Sequence, residues 1–405
     1  MTALPPTRPS AQPRWLTPRT SHAAHPAWVL ASMVLAAFGI GLTQAGAGAV
    51  IQDQVRSLST TVDMIGYTHV AYALGVVVGG PLFMIWLARW DRRHLLLAMS
   101  GIFVVTSALT VITPNVGVLL GVRLFAGLPH GALLGTAVYM AVRAVGPERR
   151  GQGIATLMYG LTAASIVGVP GMQWISEAIG WRASYGVVTL VGLASLALMW
   201  AFVPQAPGAE GGSARSELAA LRGPLVATAV IAVIVGFTGL GAVQSYMVPL
   251  FEESNGFSPA TVTLVLALFG VGMTLGAVMG GRLTDWSVTG SARVALLGVV
   301  ASLAALLVLG THGWWAVAAL VSLGAWIQTF AQAAQAHLMD VVHTSPSLGA
   351  AIAHSSFNAA TVVGSGLGAV VIGLGWGFVA PVGVALPLAC IALVVVMVGP
   401  GFRRS

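Results

Sequence analysis

From residue 27 to residue 399 the chain alternates long apolar runs with short polar breaks, and the runs carry almost no charge. Each run approaches or exceeds about 20 residues, enough for a helix to cross a hydrocarbon core of about 30 Å. Twelve spans are predicted, at roughly 28–50, 66–88, 95–113, 115–141, 153–175, 184–203, 225–248, 261–281, 293–311, 313–336, 349–373 and 376–399. Helix is the expected form, because lipid leaves no partner for a free backbone N–H or C=O. Residues 1–26 are rich in Pro, Ser and Thr, lack the apolar core of a signal peptide and read as a disordered tail. The segment 205–223 is the one long polar interruption between spans and reads as a linker. The expected fold is an all-α membrane protein of twelve transmembrane helices. They form two six-helix halves at 27–204 and 224–400, with a short tail at 401–405.

A repeat supports the division. Leu74-Gly75-Val76-Val77-Val78-Gly79-Gly80-Pro81-Leu82 in span two is similar to Leu275-Gly276-Ala277-Val278-Met279-Gly280-Gly281-Arg282-Leu283 in span eight, an offset of 201 residues. Orientation follows from the arginines, which gather in short cytoplasmic loops. With the N-terminus inside, that side holds Arg8, Arg14, Arg19, Arg89, Arg92, Arg93, Arg143, Arg149, Arg150, Arg215, Arg222, Arg282, Arg293, Arg403 and Arg404. The other side holds Arg56 and Arg182. Both termini, the tails and the linker are therefore expected in the cytoplasm.

Composition narrows the chemistry. Only 7% of the 405 residues are charged, which excludes an ordinary soluble enzyme. The net charge of +7 is spread along the loops, so no basic face exists for nucleic acid. Lysine is absent, which removes Schiff-base and P-loop mechanisms, and the single Cys390 allows neither a disulfide nor a cysteine metal site. No ATP-binding motif, Ser/His pair, paired Asp or HExxH is present; no cofactor, metal or enzymatic activity is expected.

Twelve spans, a 6+6 split and the polar loop after span two resemble the major facilitator superfamily over nearly the whole chain beyond residue 26. Gly80 with Arg89-Trp90-Asp91-Arg92-Arg93 resembles the family's loop motif, with Ala88 at the position usually held by Asp; the second copy, Gly281-Arg282-Leu283-Thr284-Asp285, keeps the acid. The resemblance implies that Arg89, Arg92, Arg93 and Asp285 latch the halves on the cytoplasmic side, while each arginine taken singly also reads as topogenic. Arg123-x-x-x-Gly127-x-x-x-Gly131 in span four resembles a family signature whose arginine is tied to proton coupling. Arg123 is the one charge inside a span, and such a charge must face a partner or water. Its alternative role is a structural anchor between the first, second and fourth helices. Gly160 through Gly168-Val169-Pro170-Gly171, followed by Gly180-Trp181-Arg182, resembles the exporter signature of the arabinose-efflux and chloramphenicol-exporter branch. Pro170 is expected to bend its helix, and the glycines to allow close approach across the halves.

In this architecture substrate sits near the midplane between halves. The polar candidates are Gln44, Tyr67, His69, Tyr72, His130, Tyr139 and Gln173 in the first half. In the second they are Gln244, Tyr246, Gln328, Gln332, Gln335, His354 and Asn358. Each alternatively serves as hydrogen-bonded glue between helices. Trp86, Trp90, Trp181, Trp286 and Trp376 are read as interface belt. Related proton-driven exporters commonly hold an acid in the first helix, where Gln44 stands here. The proton is therefore expected on His130 or His354, with Asp53 as the fallback. Together these features and the resemblance imply a monomeric inner-membrane antiporter that exports a small drug-like, sugar or metabolite substrate in exchange for protons, a capacity linked to antibiotic resistance. An importer of the same fold and a non-transporting membrane receptor are the alternatives.

Overall fold

The computed structural model describes residues 26–208, 221, 223–342 and 345–399. The expected tails and most of the linker, with Arg8, Arg14, Arg19, Arg215, Arg222, Arg403 and Arg404, lie outside these residues. Fifteen α-helices are described: α1 (Pro26–Ala45), α2 (Ile51–Ser57), α3 (Val62–Trp86), α4 (Arg92–Val111), α5 (Val116–Val145), α6 (Arg150–Ala163), α7 (Val169–Ile179), α8 (Trp181–Phe202), α9 (Pro224–Gln244), α10 (Met247–Glu252), α11 (Pro259–Trp286), α12 (Val288–Leu309), α13 (Trp314–Val341), α14 (Pro346–Gly373) and α15 (Ala380–Val398). Twelve spans are long and apolar enough to cross a bilayer, with α6 and α7 joined into one by a π-helical turn at Ala164–Gly168. An even number of crossings puts both described ends of the chain on one face, called here the terminal face; the opposite one is the distal face.

Local chemistry sets the boundaries. Asp91, Asn115, Ser258 and Ser287 each accept a hydrogen bond from the first turn of the helix that follows, satisfying an amide with no partner inside the helix. Asp91 therefore serves as the cap of α4. At Gly180, φ is 100°, a conformation that glycine adopts without strain, and there the chain reverses from α7 into α8. Span one, expected to reach residue 50, ends at Ala45, and a 3-10 turn at Gly48–Val50 leads into the short distal helix α2. Span seven stops at Gln244 and not near 248, and the chain restarts as α10.

Small residues govern the packing. Gly75 and Gly79 of α3 meet the α5 backbone at Leu124 and Leu128, while Gly276 and Gly280 of α11 meet the α13 backbone at Ala325 and Thr329. The glycines and their partners are all displaced by the same 201 residues, so the repeat seen in sequence is a repeat of contact geometry. In the exporter-like segment, Gly160 and Gly168 do not reach across to the second set of six spans, contrary to expectation. They receive Val34 with Ala37, and Leu42, all from α1, and Gly171 faces open space. The crossing is made the other way, by Ile166 entering at Gly270 of α11.

One apolar cluster fills the space among α1 to α8, with Met33, Ile40, Leu95 and Leu134 at its centre. A second, around Leu296, Leu320 and Phe330, fills that among α9 to α15. The first cluster also takes in Met339, Leu348, Ala351 and Ile352, from the ends of α13 and α14 at the terminal face. That face is therefore shut by packing. On the distal side Gly66, Gly366 and Gly373 have open space where a side chain would stand.

Candidate functional site

The polar candidates that come together lie on α1, α3, α5, α13 and α14. Arg123 and His130 are seven residues apart on α5 and so share a face. Arg123 is 2% exposed. One guanidinium nitrogen donates to the Thr43 carbonyl of α1 at 3.0 Å. The guanidinium lies over the Tyr72 ring at 4.9 Å and the Tyr185 ring at 5.6 Å. The other, Nη1, is buried without a hydrogen-bond partner. The anchoring geometry thus reaches α1, α3 and α8, with a donor left over.

A chain of contacts runs from this arginine across the molecule. The Tyr72 hydroxyl is 2.7 Å from His130 Nδ1. The His130 ring is 6.2 Å from that of His354 on α14. The amide nitrogen of Gln335 on α13 lies 2.9 Å from His354 Nε2. Asn358, one turn beyond His354, donates to the His354 carbonyl and accepts from the Gln44 amide of α1, both at 2.9 Å. Tyr72, His130, Gln335, His354 and Asn358 are all buried. Phe357 walls the site on one side, 5.7 Å from the His354 ring and 4.4 Å from Phe237.

This arrangement can register a proton. A Gln335 N–H that donates to His354 requires Nε2 to be unprotonated. Protonation there is accommodated if the amide turns and presents Oε1, which is buried with no hydrogen-bond partner. Two cationic rings 6.2 Å apart would repel by about 3 kcal/mol at an effective dielectric of 20, which disfavours a second proton on the pair. None of the 11 acidic residues lies mid-span.

Other candidates fall elsewhere. Gln332 donates to the Ala277 carbonyl at 2.9 Å and binds α13 to α11, and Gln328 is buried one turn away. Tyr139 lies nine residues, about 13 Å of helix, from His130 and accepts from Arg143 at 3.3 Å. Gln244 is exposed at the distal end of α9, and the Tyr246 hydroxyl donates to the Ser365 carbonyl. Tyr67 is exposed, His69 stands 3.3 Å from its own helix at Ile65, and Gln173 donates to Glu177. Asp53 sits on distal α2, paired with Arg56 at 2.6 Å and accepting from Ser176, well away from the histidines. Trp181 is a correction: read as interface belt, it is 2% exposed, edge-on to Tyr185 and under the Arg182 guanidinium. Trp86, Trp90, Trp286 and Trp376 are exposed.

The terminal face closes along two seams of different chemistry. At α6–α11, Asp285 accepts from the Gly151 amide at 2.5 Å, a carboxylate on a helix N-terminus. Beside it, on α13, Asp340 pairs with Arg150 at 2.7 Å. At the seam of α3 and α5 with α14, Ser355 donates to the Val76 carbonyl at 3.1 Å, and Gly80, Gly131 and Gly135 admit the α14 backbone around Ala351. Arg93 donates to the Trp200 carbonyl of α8 and the Arg92 amide to the carbonyl of Ala206, both away from these seams. Asp285→Asn is expected to shift the closed-to-open equilibrium of this face about tenfold toward open, the worth of one charge-assisted bond. Maleimide labelling rates of a cysteine placed at Ala155 in a Cys390→Ser background would measure it. Sequence reasoning missed Tyr185 and Ser355, although the first closes the Gly180-Trp181-Arg182 segment and the second follows His354.

A family profile described as Major Facilitator Superfamily matches residues 33–286. The chain is 30% identical over 356 residues to the inner membrane transport protein YdhP of Escherichia coli K12, covering 87% of this chain and 92% of that protein. It is 28% identical to the putative transporter AraJ of the same organism, over 63% of this chain and 65% of AraJ. To a probable sugar efflux transporter of Helicobacter pylori (strain ATCC 700392 / 26695) it is 26% identical, over 87% and 91% of the two chains. In fold it is similar to the proton:xylose symporter XylE bound to 6-bromo-6-deoxy-D-glucose, with a TM-score of 0.73, 14% identity and coverage of 92% and 95%.

Proposed function

Since this chain belongs to the Major Facilitator Superfamily and is a multi-pass membrane transporter, we propose that it exports a small hydroxylated or drug-like molecule from the cell in exchange for protons. In this reading the protein is an inner-membrane monomer with both termini in the cytoplasm. Spans 27–204 and 224–400 form two bundles that rock about the midplane. The supporting observation is the buried run Tyr72–His130–His354–Gln335, which joins helices of the first six spans to helices of the last six and places the mid-span titratable pair on the boundary between them. A proton on the pair adds positive charge near Arg123, which disfavours the closed packing of α14 on α5 and links protonation to opening. A ligand with hydroxyl or amide groups supplies the hydrogen bond that Gln44 and Asn358 lose when the halves part, and Phe237 and Phe357 offer a face for a ring. The probable sugar efflux and YdhP relatives support export and an inner-membrane location.

The test is flux of a labelled panel of sugars and amphenicol-type drugs in inside-out vesicles with an imposed pH gradient. Uptake that rises at least tenfold with an acidic lumen is expected; flux indifferent to the gradient sinks the proton claim. His354→Gln is expected to leave downhill exchange within threefold while removing the stimulation by the gradient. A variant still driven by protons would move the coupling elsewhere.

A further inference from the structure

At the terminal face, outside the polar run, a cavity of about 550 Å³ opens between α6 and α11. Its walls come from both sets of spans. Gln152, Thr156 and Tyr159 form one stripe on α6 at i, i+4 and i+7, and Val278, Gly281 and Arg282 of α11 face them, with Leu30 of α1 alongside. Arg149 enters from the turn before α6. The neighbouring charges are accounted for: Asp285 is on the α6 N-terminus and Arg150 is paired with Asp340. Arg149 acts on Asp285 through its field without bonding to it, and Glu148 points to solvent. Arg149 and Arg282, both exposed, make no side-chain hydrogen bond or ion pair among the described residues.

The charge sits where the spans end, at headgroup depth, and the cleft continues from Arg149 to Tyr159 for about 15 Å of helix into the apolar zone. A soluble anion would use the arginines but not that depth. The sequence before Pro26 carries Arg8, Arg14 and Arg19 and no acid, so it offers no counter-charge to the two arginines. We infer that this cleft binds an anionic phospholipid of the phosphatidylglycerol type. Its phosphate bridges Arg149 and Arg282, its headgroup hydroxyls meet Gln152 and Thr156, and an acyl chain runs over Leu30, Tyr159 and Val278. Because Arg149 and Arg282 belong to different sets of spans, the lipid acts as a removable cross-brace of the closed terminal face. The inference is independent of the direction and substrate of transport.

The experiment is thermal unfolding of the purified full chain in neutral detergent, followed by tryptophan fluorescence, with short-chain phosphatidylglycerol titrated in. Phosphatidylcholine of the same chain length and inorganic phosphate serve as the two comparisons. Phosphatidylglycerol is expected to raise the unfolding temperature by several degrees. The apparent dissociation constant should rise at least tenfold in Arg149→Gln/Arg282→Gln and stay unchanged in the distal control Arg56→Gln. Both arginines are exposed, so the variants retain the fold, and Arg282→Lys should keep most of the shift. An equal shift with phosphatidylcholine reduces the cleft to an acyl-chain groove and overturns the proposal. An equal shift with inorganic phosphate makes it a free-anion site and does the same, as does a phosphatidylglycerol effect that survives loss of both arginines.

Discussion

Arg123→Ala is expected to lower transport about 100-fold while the chain still folds and reaches the membrane. The guanidinium stacks on Tyr72 and Tyr185 and bonds to α1, so three helices take their spacing from one group. A hydrogen bond from a charged group and a desolvated cation–π contact are each worth about 2 kcal/mol, and each 1.4 kcal/mol is a factor of ten. Arg123→Lys keeps the charge but loses the planar fork, and a loss of about tenfold is expected. Flux measured beside the unfolding temperature separates transport from folding. If Arg123→Ala transports within threefold of the native chain, the contacts of this arginine with α1, α3 and α8 are not needed for transport.

Gly135→Val has an effect of similar size by a different route. The position its Cβ would take is 2.6 Å from the backbone nitrogen and 2.9 Å from the Cα of Ala351. Backbone atoms cannot rotate aside, so α14 must move off α5 and the terminal face cannot seal. Transport is expected to fall to background. A cysteine replacing Ser347, buried at the terminal end of α14 in the native packing, should react with a maleimide at least tenfold faster when Gly135→Val is present than when Gly135 is kept, in a Cys390→Ser background. Unchanged labelling would mean that this seam is not the seal.

The apolar runs disclose the twelve helices because a bilayer leaves a chain few other forms, and the ends go astray where a helix stops within an apolar stretch, as after Ala45. Arg123, Gln44, His130, His354 and Asn358 are visible as polar intrusions in apolar sequence. Their pairing is not: His130 and His354 lie 224 residues apart, and only the packing of α5 on α14 brings the rings together. Trp181 fails for a related reason. A tryptophan at a span end reads as interfacial until the reversal at Gly180 turns it inward onto Tyr185. The glycines of α6 and the π-turn were readable as close-packing positions, yet which neighbour they receive is a property of the assembled helices.

The two seams also differ in how their attraction fades with distance. Dispersion between the glycine faces of α3, α5 and α14 loses about a quarter to a half of its strength within the first ångström of separation. The pull between Asp285 and the α6 N-terminus, or between Arg150 and Asp340, declines far more gently. Opening therefore begins with a snap on the α14 side, while the charged side stays under tension and supplies the restoring force. Added salt weakens that restoring force and leaves the snap untouched, so ionic strength slows closing far more than it speeds opening.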